Sequence, residues 1–225
     1  MPKPDIQIHE RKLQEVFGSG DQDLAVHVAR LSVLFEDLRL EWSAAGHVEP
    51  ISAIDTLGKN YRYFYFLRRM LVTLDEFASA LNQLNRNAEW KKMRARFDTE
   101  TEHRWDRAVK YFAHNRPKWS DLRNEIGGHF KESAARFAVE NFRDTATGKI
   151  EIVLNREEQT GGIRLFYAEE IVAVNLSRSL GPGQHFDEEV ASCVNDLFTV
   201  MMTAANEAVK AMHQIAVVYV VNRFR

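Results

Sequence analysis

Residues 61–84 read YRYFYFLRRMLVTLDEFASALNQL, and this stretch decides the fold. Its apolar residues recur at steps of three and four, the period of one buried helix face, at Leu67, Met70, Leu71, Leu74, Phe77 and Leu81. Five of its first six residues are aromatic, which favours a helix that is buried on several sides or packed against a second subunit. The sequence therefore predicts a long helix from about residue 54 to about residue 84.

Periodicity of the same kind extends through most of the chain. It predicts further helices over residues 21–46, 88–114, 120–141, 168–180 and 187–222. Asp21 is a suitable N-cap for the first of these, and Gly46 is its expected end. Proline disfavours helix in the residue before it, so Arg116-Pro117 is expected to end the basic, aromatic helix that begins at Ala88.

The period changes to two near residue 150. Residues 149–154 read KIEIVL, and residues 161–167 read GGIRLFY. Two short strands around a glycine-containing turn predict a β-hairpin. The expected fold class is therefore all-α, a helical bundle with long helices and a small β-hairpin insertion. Residues 1–20 are expected to form an N-terminal arm, and residues 21–225 a single helical domain.

Composition excludes several classes of protein. The chain has 225 residues, of which 45% are hydrophobic and 28% charged, as in an ordinary globular domain. Its one cysteine, Cys193, cannot form an internal disulfide, which excludes a secreted disulfide scaffold. The N-terminus is polar, and the longest purely apolar run, residues 215–221, is far shorter than the ~20 residues of a membrane-spanning helix. A cytoplasmic protein without membrane contact is expected.

Positive charge is concentrated in one part of an acidic chain. The formal net charge is -2, yet residues 86–123 hold 11 Lys/Arg and six Asp/Glu, a local excess of five positive charges. Such a surface can hold a phosphate backbone, although a solvated helix face has the same composition. Trp105 and Phe112 fall at core spacing and are expected to be buried. The nearby cations are expected to be solvated, at Lys91, Lys92, Arg94 and Arg104.

One cluster at the end of this basic segment carries chemistry. Residues 119–130 read WSDLRNEIGGHF, in which Arg123, Asn124 and His129 are the reactive groups. On an ideal helix six positions turn by about 240° net, so Arg123 and His129 would not share a face. The two glycines between them cost a helix ~1 kcal/mol each. They are expected to loosen the turn, or to let a second backbone or a ligand approach closely.

These side chains suit phosphate chemistry. His129 has an unperturbed pKa of ~6.5, so it can accept or donate a proton near neutral pH. Arg123 stays charged and can brace phosphorane oxygens with a forked pair of donors. Asn124 can hold either the phosphate or one tautomer of the histidine.

An arginine, a polar residue and a histidine four to six residues later resemble the motif of the HEPN superfamily, all-α ribonucleases and related nucleotide-handling proteins. Arg123, Asn124 and His129 match it residue by residue. The resemblance implies metal-independent RNA cleavage without a cofactor, in which the 2'-hydroxyl attacks the adjacent phosphate and leaves a 2',3'-cyclic phosphate and a 5'-hydroxyl. It also implies a homodimer in which two motifs meet. The hypothesis extends to a toxin or phage-defence component with a neutralising protein partner, and to Arg116 and Lys118 as RNA-binding residues.

Two other hypotheses stay open. Arg123 could pair with an acid and His129 could be a partly buried structural histidine, in which case the chain is a non-catalytic helical module for protein interaction or dimerisation. A metal held by His103, His114 and His129 is the more distant alternative. Glu100 precedes His103 by three residues, as in a di-iron bundle, but a second Glu-x-x-His pattern and paired cysteines are absent from the sequence.

Overall fold

Helices dominate the part of the chain that the structure describes. The computed structural model describes residues 12–17, 21–46, 59–127, 130–142, 150–155, 160–165, 171–172, 174–175 and 186–220. The helices are α1 (Leu13–Phe17), α2 (Gln22–Gly46), α3 (Lys59–Arg86), α4 (Ala88–Arg94), α5 (Thr99–Leu122), α6 (Glu132–Glu140) and α7 (Phe186–Ile215). Two π-helical turns, Arg123–Gly127 and Ala216–Val220, continue α5 and α7. The prediction of a mostly helical bundle is confirmed.

Four long helices, α2, α3, α5 and α7, form the bundle. Each packs against the next in chain order, and α7 packs back against α2. The pairs that cross between neighbours show that they run antiparallel. Arg69 of α3 contacts Glu41 near the end of α2, whereas Glu76, later in α3, contacts Arg30 earlier in α2.

Aromatic side chains of α3 and α5 fill the middle of the bundle. The rings of Phe77 and Phe112 lie 5.0 Å apart, and the ring of Trp119 lies 5.6 Å from Phe112. Trp90 and Trp105 form a second pair at 4.9 Å. Burying each large apolar side chain contributes about 1.5–3 kcal/mol. The expected burial of Trp105 and Phe112 is confirmed.

The helix predicted over residues 88–114 is two helices, α4 and α5. The side chain of Asn87 accepts a hydrogen bond from the backbone N–H of Trp90, and that of Asp98 accepts one from Thr101, so each helix has its own N-cap. The prediction that Arg94 is solvated was wrong. Its side chain is 16% exposed and bonds to carboxylates of α5.

Pro117 lies inside α5 and does not end it. A proline in a helix removes the hydrogen bond to the carbonyl four residues earlier, here that of Ala113. Pro117 and Ala113 are both exposed, so water can bond to that carbonyl instead. The helix therefore continues to Leu122, and the predicted separate helix over residues 120–141 is replaced by the π-helical turn and α6.

Two strands follow α6. Strands β1 (Ile150–Asn155) and β2 (Thr160–Leu165) pair antiparallel, with Ile150 opposite Leu165 and Asn155 opposite Thr160. Residues 156–159, between the strands, lie outside the described residues, as do the first residues predicted for the long aromatic helix. None of the described helices is long and apolar enough to cross a membrane.

Part of the predicted N-terminal arm contacts the bundle. Residues 13–17 form α1, and the ring of Phe17 lies 6.2 Å from that of Tyr219 in the π-helical turn after α7. At the start of α2, the Asp21 carboxylate accepts hydrogen bonds from the backbone N–H groups of Asp23 and Leu24, which is the capping role predicted for it.

Candidate functional site

A buried carboxylate, Asp75, lies at the centre of the candidate site. It belongs to α3, and its side chain is 2% exposed. Arg116 Nε donates to one of its oxygens at 3.1 Å, and Arg123 Nη1 donates to the other at 2.7 Å. Both arginines come from the C-terminal part of α5 and its π-helical extension. When both oxygens of a carboxylate accept hydrogen bonds from charged donors, the contact is strong and directional. Asp75 therefore fixes the positions of the two arginines.

Glu76 extends this contact toward solvent. Arg123 Nη2 lies 3.3 Å from one of its oxygens, and Arg30 Nη2 of α2 donates to the other at 2.6 Å. Three arginines therefore surround two carboxylates, which leaves one positive charge in excess. We call these five residues the Asp75 cluster: Arg30, Asp75, Glu76, Arg116 and Arg123. Its base is buried, while the side chains of Arg116 and Arg123 are 41% and 36% exposed.

The π-helical turn brings the backbone of Gly127 against α3. A Cβ atom added at Gly127 would lie 3.0 Å from Val72 Cγ2 and 3.3 Å from Arg123 Cγ. Only glycine fits such an approach without displacing a neighbour. A close approach was one of the two alternatives predicted for the glycines of this turn, and at Gly127 the approaching atom belongs to the side chain of Val72, not to a second backbone. π-Helical turns occur frequently at functional sites.

Arg68 of α3 holds the chain on both sides of residues 128–129. Its Nε donates to the carbonyl of Ile126, its Nη2 lies 3.4 Å from the carbonyl of Gly127, and its guanidinium stands 5.5 Å from the ring centre of Phe130. An arginine over an aromatic ring gains cation–π attraction in addition to its hydrogen bonds. The two ends of this short segment are therefore fixed to α3.

Glu125 connects the same turn to α6. Its side chain accepts a hydrogen bond from the Ser133 hydroxyl at 3.2 Å and lies 3.6 Å from Lys131 Nζ. Its backbone carbonyl accepts the N–H of Lys131 at 3.3 Å. These contacts join the π-helical turn to the start of α6.

The structure brings together two of the five residues predicted for the site. Arg123 and Arg116 meet at Asp75, while Asn124 and Lys118 are exposed on the surface. His129 lies outside the described residues, and so does its expected convergence with Arg123. The sequence left open that Arg123 pairs with an acid. In the structure it does so, and the acids are Asp75 and Glu76.

Sequence reasoning missed Asp75, Glu76, Arg30 and Arg68. A signal for Asp75 was present, since it follows Leu71 by four residues and precedes Ala78 by three, and both are buried. A charged residue at a core position of a helix requires a partner. The identity of that partner could not be read from the sequence, because Arg116 and Arg123 lie 41 and 48 residues away.

A second charged region lies on the other side of α5, facing α7. A groove of about 830 Å³ there is lined by His103, Lys110 and His114, among others. Beside it, the buried Glu207 of α7 contacts Lys210 and Arg107. Burial raises the pKa of Tyr111, whose hydroxyl donates to the carbonyl of Val200 at 2.8 Å.

Within the described ranges, no three His, Cys, Asp or Glu side chains lie close enough together to hold a metal ion. His103 and His114 therefore have no third ligand among those residues, and His129 is outside them.

Comparison with protein-family models, with curated proteins and with solved structures finds no match to this chain.

Proposed function

We propose that the chain is a HEPN-like, metal-independent endoribonuclease whose phosphate site is the Asp75 cluster. The observation that carries the proposal is the pairing of Arg123 and Arg116 with one buried carboxylate. Arginines held in this way are preorganised, so little reorganisation is needed when charge develops on a phosphate. Their side chains remain more than a third exposed, and the excess positive charge of the cluster favours an anion.

The proposed chemistry assigns one role to each residue of the motif. His129 removes the proton from the RNA 2'-hydroxyl, which attacks the adjacent phosphorus, and the departing 5'-oxygen receives a proton from a histidine that acts as the acid. Arg123 stabilises the negative charge on the phosphorane oxygens. Asn124 orients the phosphate or the imidazole. In a homodimer, the acid is supplied by the motif of the second copy.

The test is cleavage of a mixed RNA pool in the presence of EDTA. The wild type is expected to cut RNA and to leave 2',3'-cyclic phosphate and 5'-hydroxyl ends. Removing one preorganised donor to a transition-state oxyanion costs on the order of 100–1000-fold in rate, so Arg123→Ala is expected to lose activity by that factor. His129→Ala is expected to lose a similar or larger factor, because general acid–base catalysis contributes about 100–10,000-fold.

Arg39→Ala is the matched control, because Arg39 is a surface arginine of α2 whose side chain is 64% exposed and pairs only with Glu36 among the described residues. Its activity should equal that of the wild type. Thermal unfolding of each variant separates lost catalysis from lost folding. Cleavage that persists in His129→Ala, or that requires a divalent metal, would contradict the proposal.

A second candidate function is the non-catalytic interaction or dimerisation module. Three apolar residues of α2, namely Val26, Val33 and Leu40, lie seven positions apart and are 56%, 63% and 65% exposed. Residues at this spacing share one helix face. Light scattering of the wild type and of Leu40→Glu tests this function. A wild-type oligomer that the substitution dissociates, with no RNA cleavage under any condition, would favour it.

A further inference from the structure

A small pocket opens between α3 and α5 beside the Asp75 cluster. Its volume is about 220 Å³, and Arg116 belongs both to its lining and to the cluster. Leu81 and Phe112 form an apolar floor, and each is 1% exposed. Sites for drug-sized ligands usually have about 300–1000 Å³. A pocket below that range accepts one planar ring system and excludes a whole nucleotide.

Polar groups at the pocket have no partner in the described part of the chain. Asn82 and Arg86, both on α3, line the pocket, and neither forms a hydrogen bond or ion pair with a described residue. The Asn82 amide offers two donors and an acceptor, the set of groups that reads the edge of a nucleobase. Arg86 adds a positive charge at the rim.

The order of these groups along the two helices fits a strand of nucleic acid. Asn82 follows Asp75 by seven residues, which is about 10 Å along α3. Arg116 lies between them, since it donates to Asp75 and lines the same pocket as Asn82. One nucleotide can therefore place its phosphate against Arg116 while its base enters the pocket.

We propose that this pocket binds a nucleobase next to the scissile phosphate, so that Asn82 selects the base and Arg86 holds the following phosphate. The choice of RNA as the ligand rests on the proposed function. Apolar walls, a polar amide and flanking arginines are the components with which proteins bind single-stranded nucleic acid.

The experiment measures binding of four fluorescent hexanucleotides, one for each base, with 2'-O-methyl riboses that cannot be cleaved because the nucleophile is blocked. Fluorescence anisotropy is recorded for the wild type, Ala113→Leu and Asn82→Ala. Ala113 is exposed at the pocket, so leucine there fills the space without removing a core contact. Ala88→Leu, at an exposed helical alanine outside the pocket, is the matched control.

The wild type is expected to prefer one base, and both pocket variants to bind that hexanucleotide roughly tenfold more weakly, as for the loss of one base contact. Equal weakening for all four bases, no preference in the wild type, or unchanged binding in Ala113→Leu and Asn82→Ala would each overturn the proposal. Thermal unfolding shows whether each variant is folded. If Ala113→Leu does not fold, the binding of Asn82→Ala alone tests the proposal.

The pocket and the nuclease can fail separately. A wild type that cleaves RNA, while the pocket variants bind and cleave as it does, refutes the base pocket and retains the nuclease. Base-dependent binding that is lost in the pocket variants, in a protein that cleaves no RNA, retains the pocket and refutes the nuclease.

Discussion

Asp75 and Glu207 are two buried carboxylates, on different helices, and each lies beside two cations. Their side chains are 2% and 7% exposed, so burial alone does not distinguish them. Both oxygens of Asp75 accept hydrogen bonds from arginines of the α5 segment. Glu207 accepts one from Lys210, three residues away on its own helix, and its other oxygen has no hydrogen-bond partner among the described residues. Arg107, on the neighbouring helix, remains at 3.6 Å.

The difference shows what a buried charge can position. Lys210 lies on the same helix as Glu207, so their pairing does not constrain the position of α5. The two arginines at Asp75 come from a different helix, and their forked donors match the carboxylate in direction as well as in charge. Asp75 therefore determines where α3 and the end of α5 meet, whereas Glu207 does not determine how its helix packs against α5.

The largest effect is expected when the cations are removed from Asp75. Arg116→Met with Arg123→Met leaves a buried carboxylate without a cation, and breaking a buried pair in this way costs about 3–5 kcal/mol. The free energy of unfolding, from urea titration followed by circular dichroism, should fall by that amount.

The matched exchange at the other carboxylate is Arg107→Met with Lys210→Met. We expect it to cost less, about 1 kcal/mol, because only Lys210 donates a hydrogen bond to Glu207 and Arg107 remains at 3.6 Å, whereas both oxygens of Asp75 accept hydrogen bonds from the cations. Equal losses in the two double variants would show that the Asp75 arrangement has no special role.

Gly127→Ala tests the second constraint on the Asp75 side. The added methyl group would meet Val72 Cγ2 at 3.0 Å, and crowding of this kind costs about 1–3 kcal/mol. In a Val72→Ala background the crowding is relieved, and the same substitution should stabilise by up to ~1 kcal/mol because alanine favours helix over glycine. The unfolding free energies of the four proteins of this double-mutant cycle provide the measurement. Additive effects would contradict the contact.

Glu41 offers an intermediate case, with a pH dependence of predictable sign. Its side chain is 12% exposed, and burial raises its pKa above the ordinary value of 4.5. The Thr73 hydroxyl and the charge of Arg69 oppose this rise but are weaker than the effect of burial. A folded-state pKa above the unfolded one means that stability falls as pH rises from about 4.5 through the raised value.

Glu41→Gln should therefore be more stable than the wild type at pH 8, by about 1 kcal/mol or less, and this advantage should shrink as the pH approaches 4. Unfolding midpoints between pH 4 and pH 8 give the comparison. Glu36→Gln, at a side chain that is 59% exposed, is the control for the Glu-to-Gln exchange itself. A larger advantage for Glu41→Gln at pH 4 than at pH 8 would reverse the assigned sign.

The smallest effect is expected for Glu207→Gln. The glutamine loses one charge-assisted bond to Lys210, but it also removes a buried charged oxygen that has no hydrogen bond, so the two changes largely cancel. We expect the free energy of unfolding to change by less than about 0.5 kcal/mol. A loss of several kcal/mol would place Glu207 in the same category as Asp75.

Local periodicity was enough to predict α2, α3 and α7, because apolar residues such as Leu67, Leu71 and Leu74 have to lie on one face whatever they pack against. It misjudged Pro117, since the cost of a proline depends on whether water can reach the carbonyl of Ala113, which is a property of the folded surface. The N-caps at Asn87 and Asp98 could in principle have been predicted from the sequence, because each residue directly precedes a helix.

Only part of the candidate site could be predicted from the sequence. Arg123 and the neighbouring Arg116 were found because they belong to a short motif and a basic segment. Their acceptor, Asp75, could not be assigned, because nothing local distinguishes a pair separated by 48 residues. Close approach was one of two alternatives predicted for the glycines between Arg123 and His129, and the side chain that Gly127 approaches, Val72, is set by the packing of two helices.

The π-helical turn from Arg123 to Gly127 has a consequence for how the length of the chain can vary. A π-turn contains one residue more than the α-helix needs, because its hydrogen bonds span five residues instead of four. Deleting one residue from this turn would restore an ordinary helix and rotate everything after it by about 100° relative to α5. The helix α6 would then lie on a different side of α5, even though the described helices remained intact. A single codon therefore sets the position of α6 relative to Arg123.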